Sequence, residues 1–161
     1  MLEDILNYRQ VAPDLAASGQ PDEQELAAIA AAGYTTVINI ALHDDPRYSL
    51  ADERGTVEAL GMAYVHIPVQ FGNPITQDFA RFTAAMDAHR GGRLWVHCAA
   101  NKRVSVFLGL HAHLHRGVPL DEAFALQRDI WEPDAVWTAF IARMIAARHG
   151  QHDRKHRTMP G

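Results

Sequence analysis

The sequence predicts an α/β fold, a mainly parallel sheet of four to five strands flanked by helices, and three observations carry that expectation. Short β-branched runs such as residues 35–40 (TTVINI) are too brief for helices and are bounded by turn residues. Longer stretches with apolar residues at helical spacing lie between them. Strands joined through helical crossovers pair in parallel, and such sheets are covered on both faces.

The elements follow in order along the chain. Residues 10–17 offer an edge strand. A helix is expected over 22–32, with Leu26, Ile29 and Ala30 on one side and Gly33 at the C-terminal stop. Residues 35–40 then form a strand. Ser49 is placed to cap a helix reaching Leu60, with Asp52 where a capping box usually carries Glu or Gln, and with Gly61 behind it. Residues 63–67 (AYVHI) read as the next strand, closed by Pro68. Thr76 caps a helix through His89 that gathers Phe79, Phe82, Ala85 and Met86 on one side, and Gly91 and Gly92 end it. Residues 93–97 (RLWVH) form a strand that runs straight into Cys98. Helices are expected over 103–115, 120–129 and 134–148, with Trp131, Glu132 and Pro133 marking a turn before the last. Residues 1–148 thus read as a single domain. Residues 149–161 turn polar, have no apolar face to bury and are expected to form a flexible tail.

Composition narrows the function classes. With 48% hydrophobic and 21% charged residues in 161, the chain is an ordinary globular one that can bury a core. A net charge of −4 supplies no basic footprint, so no nucleic-acid partner is expected. Charged residues interrupt every apolar stretch before the roughly 20 residues of a membrane span. The acidic start at Glu3 and Asp4 leads into no export signal, so the expected location is the cytoplasm. The single cysteine excludes an internal disulfide and a zinc site built on several thiolates. His111 and His115 share a helix face but lack an identifiable third ligand, so no metal and no cofactor are expected. His66 and His89 read as structural or solvent-facing, and Trp95, Trp131 and Trp137 as packing residues.

A lone cysteine is ordinarily a small buried hydrophobe. The surroundings of Cys98 point elsewhere. It stands at the carboxyl end of a strand, where parallel sheets bind their ligands. A turn of small residues leads from it into a helix, so turn N–H groups can form an anion nest, reinforced by the helix start. Both favour the thiolate, which is the reactive form. Ala99 and Ala100 let the backbone approach an oxyanion, Lys102 adds positive potential, and the Arg103 fork matches two phosphate oxygens.

The run from Val96 to Ser105 resembles the His-Cys-x5-Arg-Ser/Thr signature of protein tyrosine and dual-specificity phosphatases. The likeness extends from about Val11 to Ile145 in the order of elements. The residues Ser18-Gly19-Gln20-Pro21, Val37-Ile38-Asn39, Gly61-Met62-Ala63-Tyr64 and His66-Ile67-Pro68-Val69 resemble a bacterial branch of that superfamily. This branch is related to the phosphatase-like domain of β-lactamase hydrolase-like proteins. The resemblance implies a cysteine-phosphatase-like fold, a phosphocysteine formed on Cys98, and Arg103 holding the equatorial oxygens in the transition state. It also implies that Ala99, Ala100, Asn101, Lys102 and Arg103 bind phosphate. His97 would then help set the acidity of the thiol, and Ser105 would assist the thiolate or the leaving step. The expected substrate is a phosphorylated protein or a small phosphoester.

Two departures make the expected enzyme atypical. Arg103 lies five positions after Cys98 rather than six, and Val104 occupies the usual Arg position. One helical residue is about 100° of rotation, so Arg103 needs a tightened turn to face the same ligand. Asn101 stands at the mid-loop Gly position, and Asn is the next best residue for a left-handed backbone. The second departure is the general acid, which the family carries on the loop after the preceding strand. Residues 69–75 contain no carboxylate, and Gln70 cannot serve as an acid. Asp78 is the nearest candidate in sequence, although a carboxylate there also serves the helix dipole. Asp44, Asp45 and Glu53 follow another strand's carboxyl end and could approach the pocket. The alternatives are a phosphate- or phosphoprotein-binding module without turnover, and a sulfur transferase of the rhodanese type.

Overall fold

The computed structural model describes residues 1–158, with side chains described for residues 1–148 and 150. Five strands form one sheet: β1 (Arg9–Ala12), β2 (Leu15–Ser18), β3 (Thr36–Asn39), β4 (Ala63–His66) and β5 (Leu94–His97). Their order is β1-β2-β5-β3-β4. All neighbours are parallel except β1 and β2. The strand that ends at Cys98 is therefore central, flanked by β2 and β3.

Residues 10–17 thus do not form one edge strand. Pro13 and Asp14 break the segment into a hairpin, as their turn preferences dictate. β2 lies inside the sheet, where its four buried residues Leu15–Ser18 fit.

The helices are α1 (Glu23–Ala31), α2 (Glu53–Ala59), α3 (Thr76–His89), α4 (Lys102–Arg116), α5 (Leu120–Ala123), α6 (Ala125–Ile130) and α7 (Ala135–Thr158). A reciprocal Asp22/Glu25 capping box opens α1. The helix expected from Ser49 begins later. Asp52 is its cap, accepting from Gly55 N–H, while Ser49 Oγ donates to Asp45 O at 2.8 Å. Thr76 is the first residue of α3 rather than its cap, with Ile75 in the cap position and no side-chain cap bond. α7 continues past residue 148, because a single glycine such as Gly150 costs only about 1 kcal/mol and does not end a helix. The side chains of the expected tail, and residues 159–161 altogether, lie outside the described residues.

Strand alternation sorts the core into two halves. Leu15, Ala17, Ile38, Leu94 and Val96 face one side and pack with Phe79, Phe82, Phe107, Trp137 and Phe140 of the long helices. Ala16, Val37 and Trp95 face the other side and pack with Leu26 and Ile29 of α1 and Val57 of α2. Each such side chain removed from water contributes roughly 1.5–3 kcal/mol. The same alternation governs the end of β5. His97 points with Trp95 toward the side of α2, and Cys98 joins Val96 on the side of α4.

Candidate active site

Cys98 is 1% exposed and begins the turn between β5 and α4. Three clamps hold that turn. The Cys98 N–H donates to Ser18 O at 3.4 Å, and the Gln20 N–H donates to Ala99 O at 3.0 Å. The third is reciprocal: Asn7 Nδ2 donates to Ala100 O at 3.0 Å, and Asn101 Nδ2 donates to Asn7 O at 2.8 Å. Asn101 has φ +67°, the left-handed backbone expected there. The first helical bond of α4 runs from Ser105 N–H to Asn101 O, so the N–H groups of Lys102, Arg103 and Val104 find no acceptor within the helix. These donors lie four to six residues after the cysteine, at the end of the turn that it begins.

Gly19 makes the clamp possible. A Cβ at this position would lie 2.6 Å from Ala99 O and 3.0 Å from the Leu6 side chain. The nearer atom is backbone of the cysteine turn and cannot yield without moving it. Gly19→Ala is expected to cost about 1–3 kcal/mol, the usual range for overpacking. Denaturant unfolding of the two proteins measures it, and equal midpoints would show that the turn gives way.

Beneath the cysteine lies a buried polar group that extends across three strands. His97 Nε2 is 2.8 Å from Glu53 Oε2, with the side chains 0% and 2% exposed. His97 Nδ1 is 3.2 Å from the Cys98 carbonyl oxygen. Gln20 Nε2 donates to the other Glu53 oxygen at 2.5 Å, and Asn39 Nδ2 donates to Tyr64 Oη at 3.0 Å. Burial alone would raise the Glu53 carboxyl. The His97 charge and hydrogen bonds from His97, Gln20 and Tyr64 outweigh that penalty and hold the carboxyl below its ordinary value. Burial, then the Glu53 charge, keeps the Tyr64 phenol protonated well above its ordinary range.

Arg103 is 7% exposed and joins the start of α4 to the loop after β4. Its Nη1 donates to Val69 O at 2.8 Å, and its Cζ lies 5.8 Å from the Phe71 ring centroid. Its Nε is buried with no hydrogen-bond partner among the described residues. Val104, in the usual Arg position, is fully buried in the core. An apolar residue thus takes the inward direction and the guanidinium sits one position earlier. Lys102 Nζ lies 5.5 Å from the Trp131 ring centroid. Ser105 Oγ donates to Lys102 O at 2.7 Å and accepts from Trp131 Nε1 at 3.1 Å, so its described bonds go to the helix and to Trp131.

The carboxylates separate clearly. Asp78 is buried, and burial pushes its carboxyl up against the pull of Arg81, whose Nη1 is 3.8 Å away. Among the described contacts it has no hydrogen bond to the cysteine turn. Asp45 is turned to Arg47 at 2.8 Å, and Asp44 is exposed. Of these four, Glu53 is the one with a hydrogen bond into the cysteine segment among the described residues, through His97. Its role, and those of Gln20, Asn7 and Gly19, could not be read from spacing, because each arrives from a distant part of the chain. The sequence signals at this place are the Ser18-Gly19-Gln20-Pro21 run and the position of Glu53 after a strand's carboxyl end.

His111 Nε2 is buried with no hydrogen-bond partner among the described residues, and the His111 and His115 rings are tilted by 41° with centroids 5.6 Å apart. Among the described residues no group of three or more His, Cys, Asp or Glu side chains could hold a metal ion. Nor is any helix among them long and apolar enough to cross a membrane. A cavity of about 340 Å³ lined by Asp14, Arg90, His111 and Arg116 is not lined by Cys98.

Comparison with known proteins identifies the family of the chain. The chain is 32% identical over 115 residues to the β-lactamase hydrolase-like protein of Xylella fastidiosa Temecula1, covering 70% of this chain and 26% of that protein. It therefore spans about a quarter of the length of that relative. The crystal structure of the DUF442 phosphatase candidate of Shewanella putrefaciens CN-32 superposes with a TM-score of 0.82 at 33% identity, covering 91% of this chain and 96% of that one. TpbA of P. aeruginosa shares the fold at 18% identity and a TM-score of 0.69, with 90% of each chain covered. The family match runs over residues 7–114, from the Asn7 clasp through β5, the cysteine turn and most of α4, and it is to a phosphatase-like domain rather than a sulfur transferase. Because that match covers more than half of the chain, this chain belongs to the family of phosphatase-like domains of β-lactamase hydrolase-like proteins.

Proposed function

We propose that the protein is an atypical cysteine-dependent phosphatase that hydrolyses phosphate monoesters of proteins or small molecules through a phosphocysteine on Cys98. The observation that carries this reading is the unspent edge of Arg103. Nη1 is committed to Val69 O, while the buried Nε has no partner among the described residues. A buried guanidinium N–H left without an acceptor costs more than a neutral one, so an oxyanion is the natural partner. The unpartnered N–H groups at the start of α4 supply the rest of the cradle.

In the first step the Cys98 thiolate attacks phosphorus, the S–P bond forms and the P–O ester bond breaks, with the electron pair leaving on the ester oxygen. Water then attacks phosphorus, the S–P bond breaks, and thiolate and inorganic phosphate are released. Arg103 and the N–H groups of the turn, with Ala99, Ala100, Asn101 and Lys102 in it, hold the nonbridging oxygens in both steps.

The proton for the leaving oxygen is the weak point of the cradle. Residues 69–75 carry no carboxylate, and Asp78, whose carboxyl burial pushes up, has no hydrogen bond to the cysteine turn among the described residues. Without a positioned acid the rate loses a contribution of about 10²–10⁴-fold, most for leaving groups of high pKa. Hydrolysis of a series of aryl phosphates is therefore expected to fall steeply as the pKa of the phenol rises, with phosphocysteine trapped by acid quench and mass spectrometry. A flat dependence would reveal an acid in the site. The same missing carboxylate favours a second reading, a phosphate-binding module. That reading predicts bound oxyanion with no phosphocysteine on any member of the series.

A further inference from the structure

Glu53 is a carboxylate 2% exposed under a reactive-cysteine turn, and no catalytic step above uses it. Its place follows from the fold. Asp52 caps α2, which turns the next residue inward, and the alternation of β5 sends His97 to the same side of the sheet. Both ring nitrogens of His97 then face acceptors. Nε2 is 2.8 Å from a carboxylate oxygen and Nδ1 is 3.2 Å from the Cys98 carbonyl oxygen. A neutral imidazole has one donor and one acceptor nitrogen, so it would set a lone pair against one of those oxygens. An imidazolium satisfies both.

We propose that Glu53 is a positioning residue for Cys98: its carboxylate holds His97 as an imidazolium that donates at both nitrogens, fixing the start of the cysteine turn and setting a positive charge against the Cys98 carbonyl, at the backbone of the residue that carries the thiolate. The proposal rests on Cys98 being the nucleophile. The surrounding groups agree with it. Gln20, next to β2, donates to Glu53, and Tyr64 of β4 presents its phenol to the same carboxylate. Asn39 of β3 donates to Tyr64, which leaves the phenol proton free for Glu53. Arg54, the next residue of α2, lies over the Tyr64 ring at 5.0 Å and bonds Glu58 at 3.5 Å. Each group that hydrogen-bonds Glu53 does so as a donor, as an ionised carboxylate requires, while His43, Asp52 and His66 line the small cavity on its other side. The Glu53–His97 pair is neutral as a whole, but its positive half is the one that touches Cys98.

Two measurements on the full chain test this. The first is the ¹⁵N spectrum of the His97 ring at neutral pH, which is expected to show both nitrogens bearing hydrogen. The second is the pH dependence of iodoacetamide alkylation, which reports Cys98 alone because it is the only cysteine. In Glu53→Gln the carboxamide can still bond the ring but carries no charge. The alkylation midpoint is expected to rise by about one pH unit, a roughly tenfold slower reaction well below the midpoint, on the scale of a nearby opposite charge. Glu53→Asp, which keeps the charge on a shorter arm, is expected to recover part of the shift. A single N–H on the wild-type ring overturns the proposal. So does an unchanged midpoint, or a lower one, which would mean that Glu53 acts only as a nearby negative charge. If the Gln variant does not fold, the wild-type ring spectrum decides alone. Neither readout needs turnover. A protein that shows the shift yet hydrolyses nothing therefore retires the phosphatase reading and leaves Glu53's role standing.

Discussion

Cys98→Ser is expected to lower hydrolysis of an aryl phosphate by at least about a thousandfold, the scale of losing a covalent nucleophile, while the fold persists. Sγ and Oγ are close in size, and the turn is held by backbone and amide bonds that the substitution does not touch. A buried hydroxyl costs about 1–3 kcal/mol when it lacks a partner, but the N–H groups at the start of α4 are close by to supply one. The loss is chemical. A serine hydroxyl needs a base to become a nucleophile, and the nearest candidate, His97, has its nitrogens turned to Glu53 and to the backbone. Initial rates beside thermal unfolding of both proteins test this. Undiminished turnover in the folded Ser variant would sink the covalent mechanism.

Arg103→Lys is expected to lower kcat by about 10²–10³-fold, the usual cost of a lost oxyanion donor. The guanidinium does two jobs at once. One nitrogen ties the start of α4 to Val69 O, and the buried Nε, without a partner among the described residues, is free to hold the oxyanion. An ammonium is a point charge on a flexible stem and cannot present a planar fork to two oxygens while holding a third. Comparison with Arg103→Ala separates the jobs. Both variants lose the fork, but the Lys variant keeps the charge, so it should retain more phosphate affinity than the Ala variant. Full activity in Arg103→Ala would show that the shortened spacing has carried this residue out of the reaction.

The two expectations differ in how far they could be reached without tertiary contacts. Cys98 was legible because its signal is local: a β-branched and aromatic run ending in His-Cys, small residues, then a helix. The left-handed Asn101 was legible for the same reason, since a turn between strand and helix needs a residue that tolerates positive φ. The direction of Arg103 was not, because one residue of helical phase decides it, and the phase depends on where Val104 finds room in the core. Residues 10–17 show a different failure. The apolar run was visible, but Pro13 and Asp14 divide it, and whether β2 lies at the edge or beside β5 depends on a pairing partner nearly eighty residues away.

The sequence by itself determined the layered α/β architecture and the place of the cysteine at the end of a strand, because hydrophobic period and turn chemistry act over a few neighbouring residues. It also determined that the expected acid loop lacks a carboxylate. Only the tertiary structure decided what surrounds the cysteine. Asn7 and Gln20 clamp the turn, Arg103 bridges to Val69, and Glu53 meets His97 beneath the thiol. Those contacts join residues from separate strands and helices, and their geometry follows from strand order and side-chain alternation, which no local window of the chain contains.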